Sequence, residues 1–271
     1  MAAGISTARK TDLYNDPGFD YARYWESRGY EHEAEVMAVR RLLDGLLGGP
    51  GGGNPGRGKL ATAADIGGGY GRLSVVLADY AERVTLVDPS SQQLTIAKRV
   101  FPGGPPFGRR LADAANTGFE DGALDLALMV RVLHHLPDPE PELAELARVV
   151  RPGGYAIVEV ANSVHAARRL SALLRGRPVG EEPVDVRSAE SRERGTAPFV
   201  NHHPRAITRQ LIAAGLRPQA VLSVSNLRHP AAKAILPAPA MLAVERVAQR
   251  ALGPFHFGPS VFFLLRKHGA R

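Results

Sequence analysis

The chain has 271 residues, of which 44% are hydrophobic, 6% aromatic and 23% charged, an ordinary composition for a chain long enough to bury its own core. Cysteine is absent, which excludes disulfides, thiolate metal sites, iron–sulfur clusters and a cysteine nucleophile. The formal net charge of +7 is unevenly spread: residues 1–160 carry 17 basic and 21 acidic side chains, and residues 161–271 carry 17 and 6. An excess of this kind reads either as a solvated Arg-rich face or as an attraction for an anionic acceptor, nucleic acid or a membrane surface. No apolar run approaches the ~20 residues of a spanning helix, and the first twenty residues lack the apolar stretch of a secretion signal, so a cytoplasmic protein is expected.

In chain order, residues 1–30 are polar and tyrosine-rich, with Tyr14, Tyr21, Tyr24, Trp25, Arg28 and Tyr30. Residues 31–47 place Val36, Val39, Leu42, Leu43 and Leu46 on or near one helical stripe. Residues 48–58 (GGPGGGNPGRG) have the composition of a flexible linker. Strands and helices then alternate. Strands are expected over 61–66, 83–87, 108–112, 124–130 and 155–160. Helices are expected over 72–80, 90–100 with Ser90 as N-cap, and 140–150, the last stopped by the Arg-Pro-Gly-Gly run at 151–154. The run at 124–130 is continuously apolar, as a strand covered on both faces should be.

Beyond 163 the rhythm breaks. Residues 165–174 (HAARRLSALL) have amphipathic spacing and 175–198 show no clear period. A helix over 204–214 with Pro204 in its first turn, a strand over 219–224, a helix over 239–252 and a strand over 260–265 complete the pattern. The expected fold class is therefore α/β. Four segments follow: 1–58 as a helical lid and linker, 59–162 as the ligand-binding core, 163–200 as a basic insert and 201–271 as the rest of the same sheet.

The chemistry-bearing residues fall after the strands. Asp65 closes the first strand and opens Gly67-Gly68-Gly69-Tyr70-Gly71, a turn whose backbone can approach a ligand and aim free N–H groups at it. The third glycine falls one residue short of a dinucleotide fingerprint, which disfavours an NAD-dependent dehydrogenase, as does the lack of a Tyr-x-x-x-Lys pair after the fourth strand. Asp88 closes the second strand and either accepts both hydroxyls of a ribose or caps the next helix. Asp113-Ala114 closes the third strand, where an acid can reach an adenine amino group, and Arg131-Val132-Leu133-His134-His135-Leu136 follows the fourth. Open α/β sheets bind ligands at this edge, so the convergence is more specific than any one motif.

The runs ADIGGGYGRLSVVLA, VTLVDPSSQQL and RLADAANTGFEDGALDLALMVRVLHHLPDPEPELAELARVVRPGGYAIVEV resemble, in order and spacing over residues 60–160, the class I S-adenosylmethionine-dependent methyltransferases, especially their small-molecule branch. The later pattern resembles a less characterised bacterial subgroup. The resemblance implies a Rossmann-like, doubly wound, mostly parallel seven-stranded sheet with helices on both faces and an antiparallel last strand. It implies S-adenosylmethionine as cofactor, with Asp65, Gly67, Gly69 and Gly71 along its methionine part. Asp88 would bind the ribose and Pro89 pack near the adenine. Asp113 would hydrogen-bond the adenine amino group with Ala114 against the ring. Arg131 would sit beside the sulfonium by its backbone. Arg131 departs from the small or neutral residue commoner there, and can instead face the acceptor.

A sulfonium methyl needs an aligned nucleophile, and a base only if the acceptor must lose a proton. His134, His135, His202 and His203 are candidate bases, the first pair set against a role in capping and packing the loop and the second against an N-cap at His203 or Asn201. Tyr21, Tyr24, Arg28, His165 and His202 are candidates for the acceptor pocket. Anchoring the first helix (Tyr21, Tyr24, Arg28), a solvated helix face (His165) and the N-cap at 201–203 are the competing roles. Arg168 and Arg169 begin the basic insert. No metal is expected, because the ligands beyond two histidines and Asp113 are not at a recognisable spacing. The expected function is methyl transfer to a small-molecule acceptor of natural-product or quinone-like type, with anionic character following from the basic half. The alternatives are a methyltransferase acting on RNA or a protein, and a non-catalytic cofactor-binding protein. Nucleic acid is disfavoured, since Arg-Val-Leu-His stands where amino-methylating nucleic-acid enzymes have Asn/Asp-Pro-Pro-Tyr/Phe, and no membrane span is expected.

Overall fold

A computed structural model describes residue 14 and residues 20–48, 58–104, 106–176, 179–194 and 196–269. Most of the linker composition at 48–58 lies outside the described residues. In chain order the elements are α1 (Tyr21–Glu26), α2 (Gly29–Leu47), β1 (Leu60–Ile66), α3 (Ser74–Ala78), β2 (Ala81–Asp88), α4 (Ser91–Val100), β3 (Gly108–Leu111), β4 (Leu124–Met129), α5 (Glu140–Val149) and β5 (Val150–Ala161). They continue with α6 (Ala166–Leu174), β6 (Val184–Asp185), α7 (Ala189–Glu193), β7 (Val200–Asn201), α8 (Pro204–Ala213), β8 (Leu216–Val224), α9 (Pro230–Ile235), α10 (Ala238–Leu252) and β9 (Ser260–Lys267).

Seven strands pair in the order β3-β2-β1-β4-β5-β9-β8. The first five run parallel, and β9 pairs antiparallel with both β5 and β8. Period-two alternation sends Leu126 and Leu128 of β4 to one face and Ala127 and Met129 to the other. The first face buries Ala38, Val39, Leu42 and Leu43 of α2 with Leu77 of α3; the second buries Leu143 and Leu146 of α5 with Ile207 and Leu211 of α8. Strand order reverses between β1 and β4, so the crevice at their carboxyl ends is the topological switch point.

Local chemistry explains where elements start and stop. Ser90 caps α4, its Oγ accepting from Gln93 N at 3.2 Å. His203 caps α8 through Nδ1, which accepts from Arg205 N at 3.1 Å. Two expectations shift. The helix expected over 72–80 is only the five residues of α3, because Gly71 is left-handed at φ 89° and the chain turns again at Asp79. The Arg-Pro-Gly-Gly run does not separate helix from strand: β5 starts at Val150 and carries that run, with a register shift against β4 between Leu124 and Leu126. Gly154 is needed there, since a Cβ would lie 2.9 Å from Arg151 O and 3.0 Å from Asp125 O. Helix α1, within the segment expected as a helical lid but given no bounds there, forms because Asp20 Oδ1 accepts from Ala22 N and Arg23 N at 3.0 and 3.3 Å. Within the stretch without period the described residues form β6, which pairs with β7 just beyond it, and α7, which Ser188 caps.

The α2 and α10 layer is tied by one buried carboxylate. Glu245 of α10 accepts from Tyr30 Oη at 2.8 Å, Ser225 N at 2.8 Å and Asn226 N at 3.0 Å. It holds Ser225 in the left-handed region, at φ 60°. Glu245→Ala leaves three donors unpaired and should lower unfolding free energy by about 3–5 kcal/mol. Urea denaturation followed by circular dichroism measures it; a loss near that of an exposed Glu→Ala would show that this tie is dispensable.

Candidate active site

The glycine turn after β1 is stitched to the end of β2. Gly67 N donates to Val87 O at 2.7 Å, and Gly69 N donates to Asp88 Oδ2 at 2.8 Å. Asp88 Oδ1 accepts from Ser90 N at 2.9 Å. Gly67 and Gly69 are left-handed, at φ 71° and 62°. A Cβ on Gly67 would lie 2.4 Å from Val132 Cγ2, and one on Gly68 would lie 2.5 Å from the Asp65 carboxyl group. The turn is therefore bare backbone packed between the ends of three strands. Asp65 is buried and accepts from Ser74 Oγ at 2.7 Å, which fixes the start of α3. Burial pushes the carboxyl groups of Asp65 and Asp88 up to about 6 each, against the lowering effect of their hydrogen bonds.

A cleft with about 890 Å³ of empty space, counted out to its mouth, opens above this turn. It is lined by Asp65, Gly67, Gly69, Asp88, Pro89, Asp113, Ala114, Arg131, His135 and Tyr21 among the expected residues. Asp113 Oδ1 accepts from Ala115 N at 2.9 Å, turning the chain so that Ala114 forms part of the wall. Gly71 does not line the cleft. Its left-handed backbone favours glycine, and Phe107, whose Cζ would lie 2.3 Å from a Cβ there, leaves no room for a side chain.

Arg131 is the strained residue of the site, non-glycine at φ 62°. Its backbone N donates to Glu159 Oε2 at 3.1 Å, and Glu159 Oε1 accepts from Ser260 Oγ at 2.7 Å. The Arg131 guanidinium reaches Glu35 of α2 at 3.4 Å. Glu35 also pairs with Arg72, whose guanidinium lies over Trp25 at 3.7 Å. Two cations and two carboxylates thus offset each other beneath the cleft. Neither Glu35 nor Glu159 was among the expected site residues. The signal for each was a charge at a core position: Glu35 sits on the buried stripe of α2 between Ala34 and Ala38, and Glu159 interrupts the apolar run of β5.

The two adjacent histidines separate. His135 lines the cleft. Its Nδ1 lies 3.2 Å from Pro198 O, an acceptor, so Nδ1 carries the proton and Nε2 accepts from Tyr14 Oη at 2.8 Å. Burial pushes His135 down to about 4, so it is neutral at physiological pH. His134 is buried outside the cleft lining, 4.0 Å from the His135 ring and 4.6 Å from Phe199, and burial pushes it well below its ordinary value. The structure gives His134 a packing position. Tyr14, which was not singled out from its tyrosine-rich segment, also lines the cleft, and its carbonyl accepts from Ser90 Oγ at 2.7 Å.

The acceptor residues expected from sequence are only partly brought together. Tyr21 lines the cleft and covers Gly69, where a Cβ would lie 3.3 Å from its ring. Tyr24 stacks on Tyr21 with ring centres 5.6 Å apart, and Arg28 lies 3.8 Å over Tyr24; neither lines the cleft. His202 is buried, and its Nε2 donates to Leu133 O at 3.0 Å, bracing the loop after β4. His165 precedes α6 away from the cleft lining.

A family model described as a methyltransferase domain matches residues 64–158. Over that stretch the chain is similar to methyltransferase domains. It is 29% identical over 173 residues to the O-methyltransferase cnsE of Penicillium expansum, covering 62% of this chain and 60% of that one. It is 37% identical over 98 residues to the 2-methyl-6-phytyl-1,4-hydroquinone methyltransferase of a Synechocystis strain, covering 36% of this chain and 31% of that one. The chain thus spans less than two thirds of either curated relative. Its fold is similar to the N-methyltransferase NodS of Bradyrhizobium japonicum solved with S-adenosyl-L-homocysteine, with a TM-score of 0.57 at 13% identity, over 96% of this chain and 98% of that one.

The cleft suits the family's cofactor. Asp88 lines the cleft with its carboxylate, and the turn at Gly67 to Gly69 is bare backbone open to a ligand. Gln93 Oε1, buried in the wall without a hydrogen-bond partner among the described residues, offers an acceptor. Were Asp88 to hold the ribose, the ribose hydroxyls would donate to the ionised carboxylate. Below pH ~6 that carboxylate must lose a proton on binding, so affinity should rise with pH and level off above neutrality. Calorimetric titration with S-adenosylhomocysteine between pH 5 and 8 checks this; affinity independent of pH would remove Asp88 from the ribose. Asp88→Ala should weaken binding at neutral pH by about 1–3 kcal/mol.

Proposed function

We propose that this chain transfers the methyl group of S-adenosylmethionine to a hydroxyl of a small aromatic acceptor of natural-product or quinone-like type. The observation that carries the reading is the unprotonated Nε2 of His135, in the cleft wall and bonded there to a hydroxyl group, that of Tyr14. An attacking hydroxyl must lose its proton, and an imidazole nitrogen with its lone pair free can take it. The curated relatives support the choice, one named as an O-methyltransferase and another as acting on a hydroquinone.

Bound in the cleft, the cofactor supplies an electrophilic methyl group on sulfur and leaves as a thioether. The chain's own residues do the rest. Asp88 and Asp113 hold the nucleoside by ribose and adenine, and Gly67 to Gly69 take the amino-acid tail. The Arg131 guanidinium, paired with Glu35, lines the acceptor side of the cleft as a fixed polar wall. His135 Nε2 takes the hydroxyl proton once the acceptor replaces Tyr14 as its partner, while Nδ1 stays bonded to Pro198 and keeps the ring aimed. Tyr14 and Tyr21 exclude water from above. The 163–200 segment serves the acceptor side, since Pro198 and Phe199 contact the two histidines directly.

His135→Phe should lower kcat by roughly 10²–10⁴-fold with a phenolic acceptor while S-adenosylhomocysteine affinity stays within about threefold. Transfer of radiolabelled methyl to a panel of phenols and quinols, with parallel calorimetry, measures both. With its base at about 4, the wild-type rate should be flat from pH 6 to 8. Undiminished turnover in His135→Phe would exclude this base, and transfer only to amines or thiols would overturn the acceptor class.

A further inference from the structure

We propose that α6, together with the loop carrying Phe255 and Phe257, is a docking surface for an anionic lipid bilayer. Helix α6 is mounted with its apolar side outward. Leu170, Leu173 and Leu174, at i, i+3 and i+4, are 57%, 77% and 78% exposed, and no residue of the helix is buried. The residues turned toward the fold, Arg168, Ser171 and Ala172, are only half-buried. A helix stabilised by core packing shows the reverse arrangement. It is nonetheless held in place: Ala166 N donates to Phe257 O at 2.8 Å, and Arg169 reaches His256 O at 3.5 Å. That junction brings in two more exposed rings, Phe255 at 65% and Phe257 at 42%. A groove lined by Leu173, Arg169, Phe255 and His256 runs between helix and loop.

The charge around this patch selects the occupant. Arg168, Arg169, Arg175 and Arg205 have no carboxylate within ion-pairing distance among the described residues. Of the neighbouring acids, Glu181 pairs with Arg209, Asp185 with Arg187 and Glu190 with Arg194, while the exposed Glu182 and Glu193 pair with none of these arginines. Leucines and phenylalanines rimmed by unpaired arginines match a membrane interface, where apolar side chains enter the acyl boundary and guanidinium groups stay with anionic headgroups. A second copy of the same chain would bring the same cations against each other. The patch lies at the sheet edge where β5 ends and β9 begins, the edge that also carries the cleft. No helix among the described residues is long and apolar enough to span, so the attachment is peripheral.

The test is flotation of the full chain, without cofactor or acceptor, on phosphatidylcholine vesicles with and without about one-third phosphatidylglycerol. The chain should float with the anionic vesicles only, and less so as salt is raised. The double substitution Leu173→Asp, Leu174→Asp should weaken that association by about tenfold or more while leaving the thermal midpoint unchanged, because both side chains are solvent-exposed. Arg168→Gln with Arg175→Gln should remove the preference for anionic lipid. No flotation of the wild type, equal flotation of the leucine variant, or a concentration-dependent dimer that the leucine variant dissolves would each overturn the proposal. Because the assay contains no methyl donor, its failure leaves the methyl-transfer reading untouched.

Discussion

The carboxylate of Glu159, set in the middle of the sheet edge, is the constraint on which the site depends. It accepts the Arg131 backbone N–H on one oxygen and the Ser260 hydroxyl on the other. The first bond holds the chain in a left-handed conformation just after β4, which a side chain as large as arginine otherwise avoids. From that bend the rest follows. Val132 is pushed against the glycine turn, so Gly67 admits no side chain. The short 3-10 turn at Leu133–His135 then points His135 to the cleft and His134 into the packing. Burial raises the affinity of Glu159 for its proton, and the neighbouring Arg131 offsets part of that cost.

The same bend commits the N-terminal helices to the core. Once Arg131 is aimed under the cleft it needs an anion, and Glu35 of α2 supplies one to both Arg131 and Arg72. Helix α2 therefore does more than cover an apolar face. It closes a charge balance that spans β1, β4, β5 and the N-terminal layer, and removing one member leaves the others buried and uncompensated.

The fold was largely legible in the sequence because its signals are local. A continuous apolar run marks β4, Ser90 and His203 mark helix starts, and Gly67, Asp88 and Asp113 fall where strand ends must meet. What escaped is what depends on distant pairing. Two adjacent histidines look alike in sequence, and only the turn geometry gives one to the cleft and one to the core. His202 reads as a pocket residue until its bond to Leu133 shows it bracing a loop. Gly71 fits a cofactor motif, yet the contact that demands it is with Phe107, thirty-six residues away in the chain. The Arg-Pro-Gly-Gly run looked like a terminator because a strand bulge and a turn use the same residues.

Trp25 is the chain's single tryptophan. It is buried, with the Arg72 guanidinium 3.7 Å and the Arg131 guanidinium 5.3 Å from its ring, and Tyr21 edge-on at 6.1 Å. Its indole is therefore an intrinsic optical probe, free of background from any second fluorophore of its kind. Two fixed cations set the field across its excited state, and a tyrosine of the cleft wall borders it. Any rearrangement of that wall changes emission colour and intensity, so occupancy of the cleft can be followed in real time on the unlabelled chain.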